Sequence, residues 1–386
     1  MVARIDPHRL RELAEWRPAR GVITVCLEID PADRSEGWRT ALRNGLKRLV
    51  EEAHGSDRER WMAMKPTAEA ILERFPEGSP HPSGRSQIGF VEVAARSRQA
   101  RWYPLQLPLG RTEIVWWDRP HLGPLVELLD DGAPLGAVAV SSERVRLLEW
   151  ALGECQELAE WEPEFRKRDW RERRAQRPEP ARPGTSASGR DQIGQRLDAN
   201  RERFLRECAE RIAEPMRSRG WRTVMAFGNP HQVEVIAAGL RPLAAGLEPS
   251  DPLYRAEEKD VIGESTGQIA RRIEAILPEL NRTRELELVR QAEGAAHAEG
   301  GAASLGRDET LHALQEGRVA HLLFDPAVEL DSDVPLPHWG TGNGGAAAAA
   351  AMIEQALRTG AWVTPVEGEA AEALRRHEGV AALLRY

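Results

Sequence analysis

The residues able to do chemistry concentrate between Phe165 and Phe204, FRKRDWRERRAQRPEPARPGTSASGRDQIGQRLDANRERF. Between Arg166 and Arg190 there are nine Arg or Lys against three Asp or Glu, in a chain of net charge −8. The basic side chains are Arg166, Lys167, Arg168, Arg171, Arg173, Arg174, Arg177, Arg182 and Arg190, with Arg196 and Arg201 further on. Pro178, Pro180 and Pro183 keep the middle of the stretch out of regular structure, and small residues from Gly184 to Gly189 follow. A cationic arm on an acidic protein predicts a polyanionic partner that the arm reaches towards. Trp161, Phe165 and Trp170 could stack on bases, or serve as packing at the arm's root. A solvated linker between domains has the same local composition.

Composition removes several other chemistries. No Cys/His set has zinc spacing, so no metal is expected, and no cofactor is called for. A phosphate-cradling loop is unsupported: AFGNPHQ has one glycine, and TGNGG precedes an alanine run without Lys-Ser/Thr. No G-x-S-x-G is present for a serine hydrolase. Cys26, Cys155 and Cys208 sit in apolar patterns and are expected as reduced, buried thiols. There is no apolar window for a membrane span, and MVARIDPHRLRELAEW lacks a signal-peptide core, so a cytoplasmic location is expected. The excess of Arg over Lys suits phosphate recognition and equally a GC-rich coding sequence.

The 386 residues imply two or three domains, and the elements positioning the arm follow in order. Helical spacing over Pro7–Trp16 precedes an apolar strand, Gly21–Asp30. Helices are expected over 36–53 and 58–75, the second broken or restarted at Pro66. Strands at 86–94 and 100–109, then a strand and helix through Asp131, complete a first α/β domain, 1–133. A second domain, 134–263, begins with a hairpin about Ser142-Glu143. It carries the basic loop 161–192 and continues with a helix over Asp191–Met216, started by Ser188 and Asp191. A strand, a Gly-Asn-Pro turn, a helix and a last strand at Glu257–Gly263 follow. The third domain, 264–386, is read as helices over 266–277 and 284–298, a Gly/Ala-rich break, then alternating helices and strands. The fold class is α/β (α+β) in three domains.

Two stretches of the last domain carry a family resemblance. DETLHALQEGRVAHLLFDPAV (Asp308–Val328) resembles a helix-and-strand element in the third domain of archaeal and eukaryotic class-I release factors and pelota. MIEQALRTGAWVTPVEGEAAEALRRHEGVAALLRY (Met352–Tyr386) resembles that domain's ending. The middle part is similar to theirs in its order of hairpin, basic loop, Arg-rich helix, strand and GNPHQV turn. ITVCLEIDP with GWRTALRNGLKRLVEEA looks like the first domain of their bacterial relatives. The resemblance implies a ribosomal A-site protein. Its first domain would lie towards the decoding region, and a ribonuclease-H-like middle domain would hold its loop at the peptidyl-transferase centre. The last domain would bind a partner such as a translational GTPase. The cationic residues named above then become contacts to rRNA and the P-site tRNA acceptor end.

In that family a Gly-Gly-Gln brings close backbone and a neutral amide to the peptidyl-tRNA ester. This sequence has no Gly-Gly-Gln. The matching segment offers Gly189-Arg190-Asp191-Gln192, or Ile193-Gly194-Gln195 further in, so Gly189 and Gln192 are the catalytic candidates and exposed helix polars the alternative. Asp191 suits a helix start better than an ester-cleaving site. Stop-codon reading is not expected, because the first domain has neither Asn-Ile-Lys-Ser nor a Tyr-x-Cys run. Three functions follow: ribosome rescue or peptidyl-tRNA hydrolysis with a degenerate loop, a non-catalytic plug of the A site in hibernation, or an interaction protein unrelated to the ribosome. A nuclease would need carboxylates where the chain has Val140-Ser141-Ser142.

Overall fold

The computed structural model describes residues 7–30, 36–76, 82–96, 98–163, 186–244, 253–257, 260–298, 301–328 and 345–386, with the backbone alone for 7, 56, 186–197, 244, 253, 257 and 345–347. It is a mixed α/β structure containing three sheets. Two compact units make it up: Met1–Gly132 with Leu277–Tyr386, and Ala133–Ile276.

The chain enters the first unit through α1 (Pro7–Glu15) and the largely apolar, buried run of β1 (Val22–Glu28). That run is possible because β1 is central, paired antiparallel with β2 (Ser86–Glu92) and β4 (Glu113–Trp117), while β3 (Ala100–Leu105) completes the order β3-β2-β1-β4. α2 (Gly37–Ser56) lays Trp38, Leu42, Leu46 and Leu49 on this sheet. α3 (Arg58–Glu73) starts at Asp57, whose carboxylate accepts from the Glu59 and Arg60 amides at 2.9 and 3.1 Å. Contrary to the sequence expectation, α3 runs unbroken through Pro66. Buried Ala63 and Met64 before the proline, and Thr67, Ala68 and Ile71 after it, hold both halves on one core and offset the lost hydrogen bond. α4 (Gly123–Asp131) ends this segment.

In the second unit β5 (Leu135–Val140), β6 (Val145–Ala151) and β7 (Glu154–Trp161) form an antiparallel meander, and β8 (Val224–Gly228) and β9 (Leu253–Glu257) continue parallel to β5. The order β7-β6-β5-β8-β9 is the expected ribonuclease-H-like arrangement. β7 itself was not legible. As an edge strand it alternates exposed and half-buried residues, and it returns from β6 through Leu152 and Gly153 at φ 50 and 83. The last strand lies before, not within, the expected Glu257–Gly263. Residues 260–264 instead turn, because Arg146 donates to the Ile262 and Glu264 carbonyls at 2.9 and 2.7 Å, occupying acceptors that a ladder would need. The long α5 (Ser186–Ser218) and α6 (Pro230–Leu240) cover the sheet.

α7 (Thr266–His297) is one helix, where two or three were expected, and passes through Pro278. Its second half is held from outside: Asn281 donates to Asp131 at 3.1 Å and Arg284 to Asp130 at 2.5 Å. The closing sheet has the order β10-β13-β11-β12, from β10 (Ala303–Leu305), β11 (Val319–Phe324), β12 (Trp362–Pro365) and β13 (Val380–Leu384). α8 (Arg307–Gln315), α9 (Gly345–Thr359) and α10 (Gly368–Arg375) pack around it. Only β11 and β12 run parallel, joined through α9. The Gly/Ala-rich break therefore contains a short strand, β10.

Within the first unit the two ends of the chain share a polar seam. Glu354, 4% exposed, accepts from Arg119 at 3.1 Å and also from Arg17. Thr364 donates to Asp130 at 2.9 Å and meets His321 at 2.8 Å. The Glu367 amide donates to Glu285 at 2.8 Å. Burial, chiefly, pushes the Glu285 carboxyl up to about 7.

Candidate nucleic-acid interface

The basic segment connects the end of β7 to the start of α5. At the exit Trp161 pairs across from Val145, packs half-buried on the core, and carries the Arg211 guanidinium 5.9 Å from its ring centroid. Trp161 is thereby the root of the arm, a packing residue rather than a base-stacking one. Just beside it Arg144 binds Glu160 at 2.9 Å and Glu162 at 3.1 Å. Arg166, Lys167, Arg168, Arg171, Arg173, Arg174, Arg177 and Arg182, with Phe165 and Trp170, lie outside the described residues.

The return is anchored by the second half of α5. Phe204, Leu205, Cys208, Ala209, Ile212, Ala213 and Met216 are buried, spaced at three and four residues so that one stripe faces the sheet. They pack on Val138, Val140, Val145 and Leu147 of the meander and on Ile236 and Ala237 of α6. Burial pushes the Cys208 thiol up to about 12. Ahead of Phe204, Asp198, Ala199 and Asn200 are exposed, and Ile193 and Leu197, which the sequence also placed on the stripe, have side chains outside the described residues. α5 nevertheless continues back to Ser186. The helix thus begins earlier than expected, and Ser188 and Asp191 lie within its first two turns rather than at its cap. Gly189, Arg190, Gln192 and Arg196 are all helical. At 1.5 Å per residue Gln192 stands about 18 Å along the axis from Phe204 and Gly189 about 23 Å. Two elements already locked into the unit therefore bracket the basic segment.

Arg201 is placed on the polar face of α5, 3.2 Å from Asp198. Arg203–Glu207 and Arg206–Glu202 pairs continue that face at 3.1 and 2.9 Å. Such exposed pairs are worth about 0.5 kcal/mol, so they open readily to a phosphate.

Two features beneath the interface fix its geometry, and single-sequence patterning gives little sign of the first. Buried Glu149 accepts from Trp221 Nε1 at 3.1 Å and from Arg219 at 2.7 Å, tying the end of α5 to β6. The second is the Gly-Asn-Pro turn: Gly228 has φ 143, and a Cβ there would stand 2.3 Å from the Val140 carbonyl oxygen. Asn229 then caps α6 by accepting from the His231 amide at 3.0 Å. No carboxylate stands on β5 or β8, and Ser141 is occupied in closing the β5–β6 turn on the Arg144 carbonyl. The centre of this sheet is consequently apolar and offers no ligands for a nuclease metal. Among the described residues no group of three or more His, Cys, Asp or Glu could hold a metal ion, and no helix is long and apolar enough to cross a membrane.

The sheet order β7-β6-β5-β8-β9, with a basic segment between its third strand and a long helix, is ribonuclease-H-like. Residues 120–247, which span this sheet's first four strands and the insertion, match the family model of bacterial archaeo-eukaryotic release factor family 10. The match covers about a third of the chain, its middle part. Similar solved structures include the archaeal translation termination factor aRF1 (16% identity, 99% of each chain, TM-score 0.26). Others are Archaeoglobus fulgidus Pelota (11% identity, 99% of this chain and 92% of that one, TM-score 0.32) and S. cerevisiae Dom34 (10% identity, 78% and 80%, TM-score 0.40). No curated protein matches the chain.

Proposed function

We propose that this protein is an A-site-binding translation factor of the release-factor and pelota type. It presents residues 161–192 and the start of α5 to rRNA and the acceptor end of P-site tRNA, and acts in ribosome rescue or peptidyl-tRNA hydrolysis. The observation that carries this is the bracketing of a nine-cation segment by a strand and a helix, both packed into a unit matched by a release-factor family model. In this reading the cytoplasm is its location, and the segment 264–386 carries the contact to a translational GTPase. The expected three-domain division, with the first domain towards the decoding region, belongs to the same proposal.

The missing Gly-Gly-Gln and the helical placement of Gln192 favour a second reading, in which the arm plugs the A site without cleaving. Two measurements on programmed ribosomes separate these. Wild-type chain should pellet with ribosomes, and R171E/R173E/R174E should pellet much more weakly. Its log–log salt slope should be shallower by roughly 2, at about 0.7 per lost phosphate contact. Salt-insensitive pelleting, or an unaffected triple variant, removes the arm from the mechanism. Peptidyl-tRNA hydrolysis lost in Gln192→Ala supports catalysis; binding without any hydrolysis supports the plug.

A further inference from the structure

A second cluster of arginines lies in the first unit, at the end of α3 and in the β2–β3 loop. Where the C-terminal end of α3 overhangs β2 and β3, a pocket of about 250 Å³ opens. Its floor is apolar, from Ile71 and Val91, and its wall is Trp102. Its rim is Arg74, Arg96 and Arg98, and no carboxylate of the described residues lines it. None of these three arginines is paired with a carboxylate of the described residues, in a chain whose acidic side chains outnumber its basic ones. The Arg98 Nε donates to the Ala94 carbonyl at 3.0 Å, which holds the β2–β3 loop and leaves the terminal nitrogens available.

The pocket wall is built in layers. Trp102 lies across Gly89 of β2, where an added Cβ would stand 2.4 Å from the ring, so any larger residue would lift the indole. On Trp102 sits the Arg74 guanidinium, 4.7 Å from the ring centroid, and Phe75 meets the same indole edge-on at 5.3 Å. Stacking uses the face of a guanidinium and leaves its N–H edges free, so Arg74 is pre-set to donate to an anion. Burial holds its pKa below the ordinary arginine value, a mark of partial desolvation.

We propose that this pocket binds one nucleotide, with its phosphate on Arg74, Arg96 and Arg98 and its base on the apolar floor against the layered Arg74–Trp102 wall. Three guanidinium groups suit a phosphate, whose oxygens take bidentate donors. An apolar floor beside a planar cation suits a base, since bases stack on guanidinium planes as on aromatic rings. The volume lies under the ~300 Å³ of sites that enclose a drug-sized ligand, so it admits a single group rather than a dinucleotide or a duplex. A free nucleoside monophosphate and one residue of single-stranded RNA share this chemistry. The inference stands apart from the A-site reading and needs no ribosome.

The test is calorimetric titration of the full chain with AMP, UMP, inorganic phosphate and a five-nucleotide oligoribonucleotide, with folding of each variant checked by circular dichroism. Arg96→Glu reverses one rim charge on an exposed loop. Ala70→Leu fills the pocket from half-buried α3 without changing charge. A mononucleotide or the oligoribonucleotide should bind wild type, and each variant should weaken that binding about tenfold or more. Binding of the mononucleotides identifies the free ligand as source; binding of the oligoribonucleotide alone identifies RNA. The proposal is overturned if neither binds, if inorganic phosphate binds as well as the nucleotides, or if Ala70→Leu binds like wild type. A chain that pellets with ribosomes yet fails these titrations loses this pocket and keeps the arm. One that binds nucleotide and never pellets does the reverse.

Discussion

Glu285 should make the first unit more stable in mild acid than at neutral pH. The side chain is 5% exposed and accepts the Glu367 amide at 2.8 Å, in the seam that joins the two ends of the chain. Burial is the main cause of its displacement from 4.5 to about 7, with Asp130 and Asp131 adding to it and Arg284 and the Glu367 amide opposing it. A carboxyl displaced upwards holds its proton in the folded chain where the unfolded chain has lost it. The folded state therefore binds more protons between these two values, and stability falls as pH rises through that window. At 1.36 kcal/mol per pH unit, ionising Glu285 in place costs about 3 kcal/mol at pH 8 and about 1 kcal/mol at pH 5. Glu285→Gln keeps an oxygen for the Glu367 amide and removes the titration. The difference in unfolding free energy between wild type and variant should thus change by about 2 kcal/mol from pH 8 to pH 5, with wild type gaining on acidification. Hydrogen exchange at the β11 and β13 amides reads this directly, since a chain of two units need not unfold in one step. A wild-type-to-variant difference that is constant across the range would refute the argument. So would one that grows in favour of wild type towards pH 8.

Two further outcomes follow from geometry. Gly228→Ala puts a methyl group 2.3 Å from a backbone oxygen at φ 143, and about 3 kcal/mol or more of destabilisation is expected. Gly220→Ala, at φ 70 with nothing within 4 Å, should cost only about 1 to 2 kcal/mol; equal shifts in thermal unfolding would show that crowding at Val140 is irrelevant. The thiols should be inert: burial pushes Cys26 and Cys208 up to about 12 and half-buried Cys155 up to about 11. With roughly one thiolate in a thousand or fewer at pH 8, iodoacetamide should label none in the native chain and all three in urea by mass spectrometry. Rapid native labelling of Cys26 or Cys208 would contradict their burial.

What the sequence conveyed depended on how local each cause was. The apolar run of β1, the amphipathic stripe from Phe204 to Met216 and the Gly-Asn-Pro turn are written in consecutive residues, and each forms where patterning places it. Pro66 and Pro278 misled because a proline's local penalty of about 3 kcal/mol is overridden by packing on both sides of it. β7 hid as a polar edge strand, and the 260–264 turn depends on Arg146, more than a hundred residues away. The seam was wholly illegible, since Asp130 meets Arg284 and Thr364 across long separations in the chain. The pocket under Arg74 was hidden likewise. Its arginines come from a helix end and a hairpin loop, and Gly89, which admits the indole, is an unremarked glycine in a strand.

The arm illustrates both sides of that divide. Its charge is a compositional fact, and its anchor is a packed stripe; neither depends on where the tip points. The helical start of α5 does change the chemistry open to the tip. In a regular α-helix the free N–H groups are those of the residue before the helix and of its first three residues, here Ser186, Ala187 and Ser188. The Gly189 N–H, the fourth, bonds back one turn, so Gly189 offers no free donor. The Gln192 N–H is committed to the turn before it, so Gln192 can contribute only its side-chain amide. Removing that amide in Gln192→Ala while leaving the helix intact therefore isolates the one group by which this residue could act on an ester. Ser186→Pro would instead remove a free donor at the first helical position, where a helix tolerates proline. If the free backbone amides rather than Gln192 serve a developing oxyanion, hydrolysis should survive the first substitution and fall with the second.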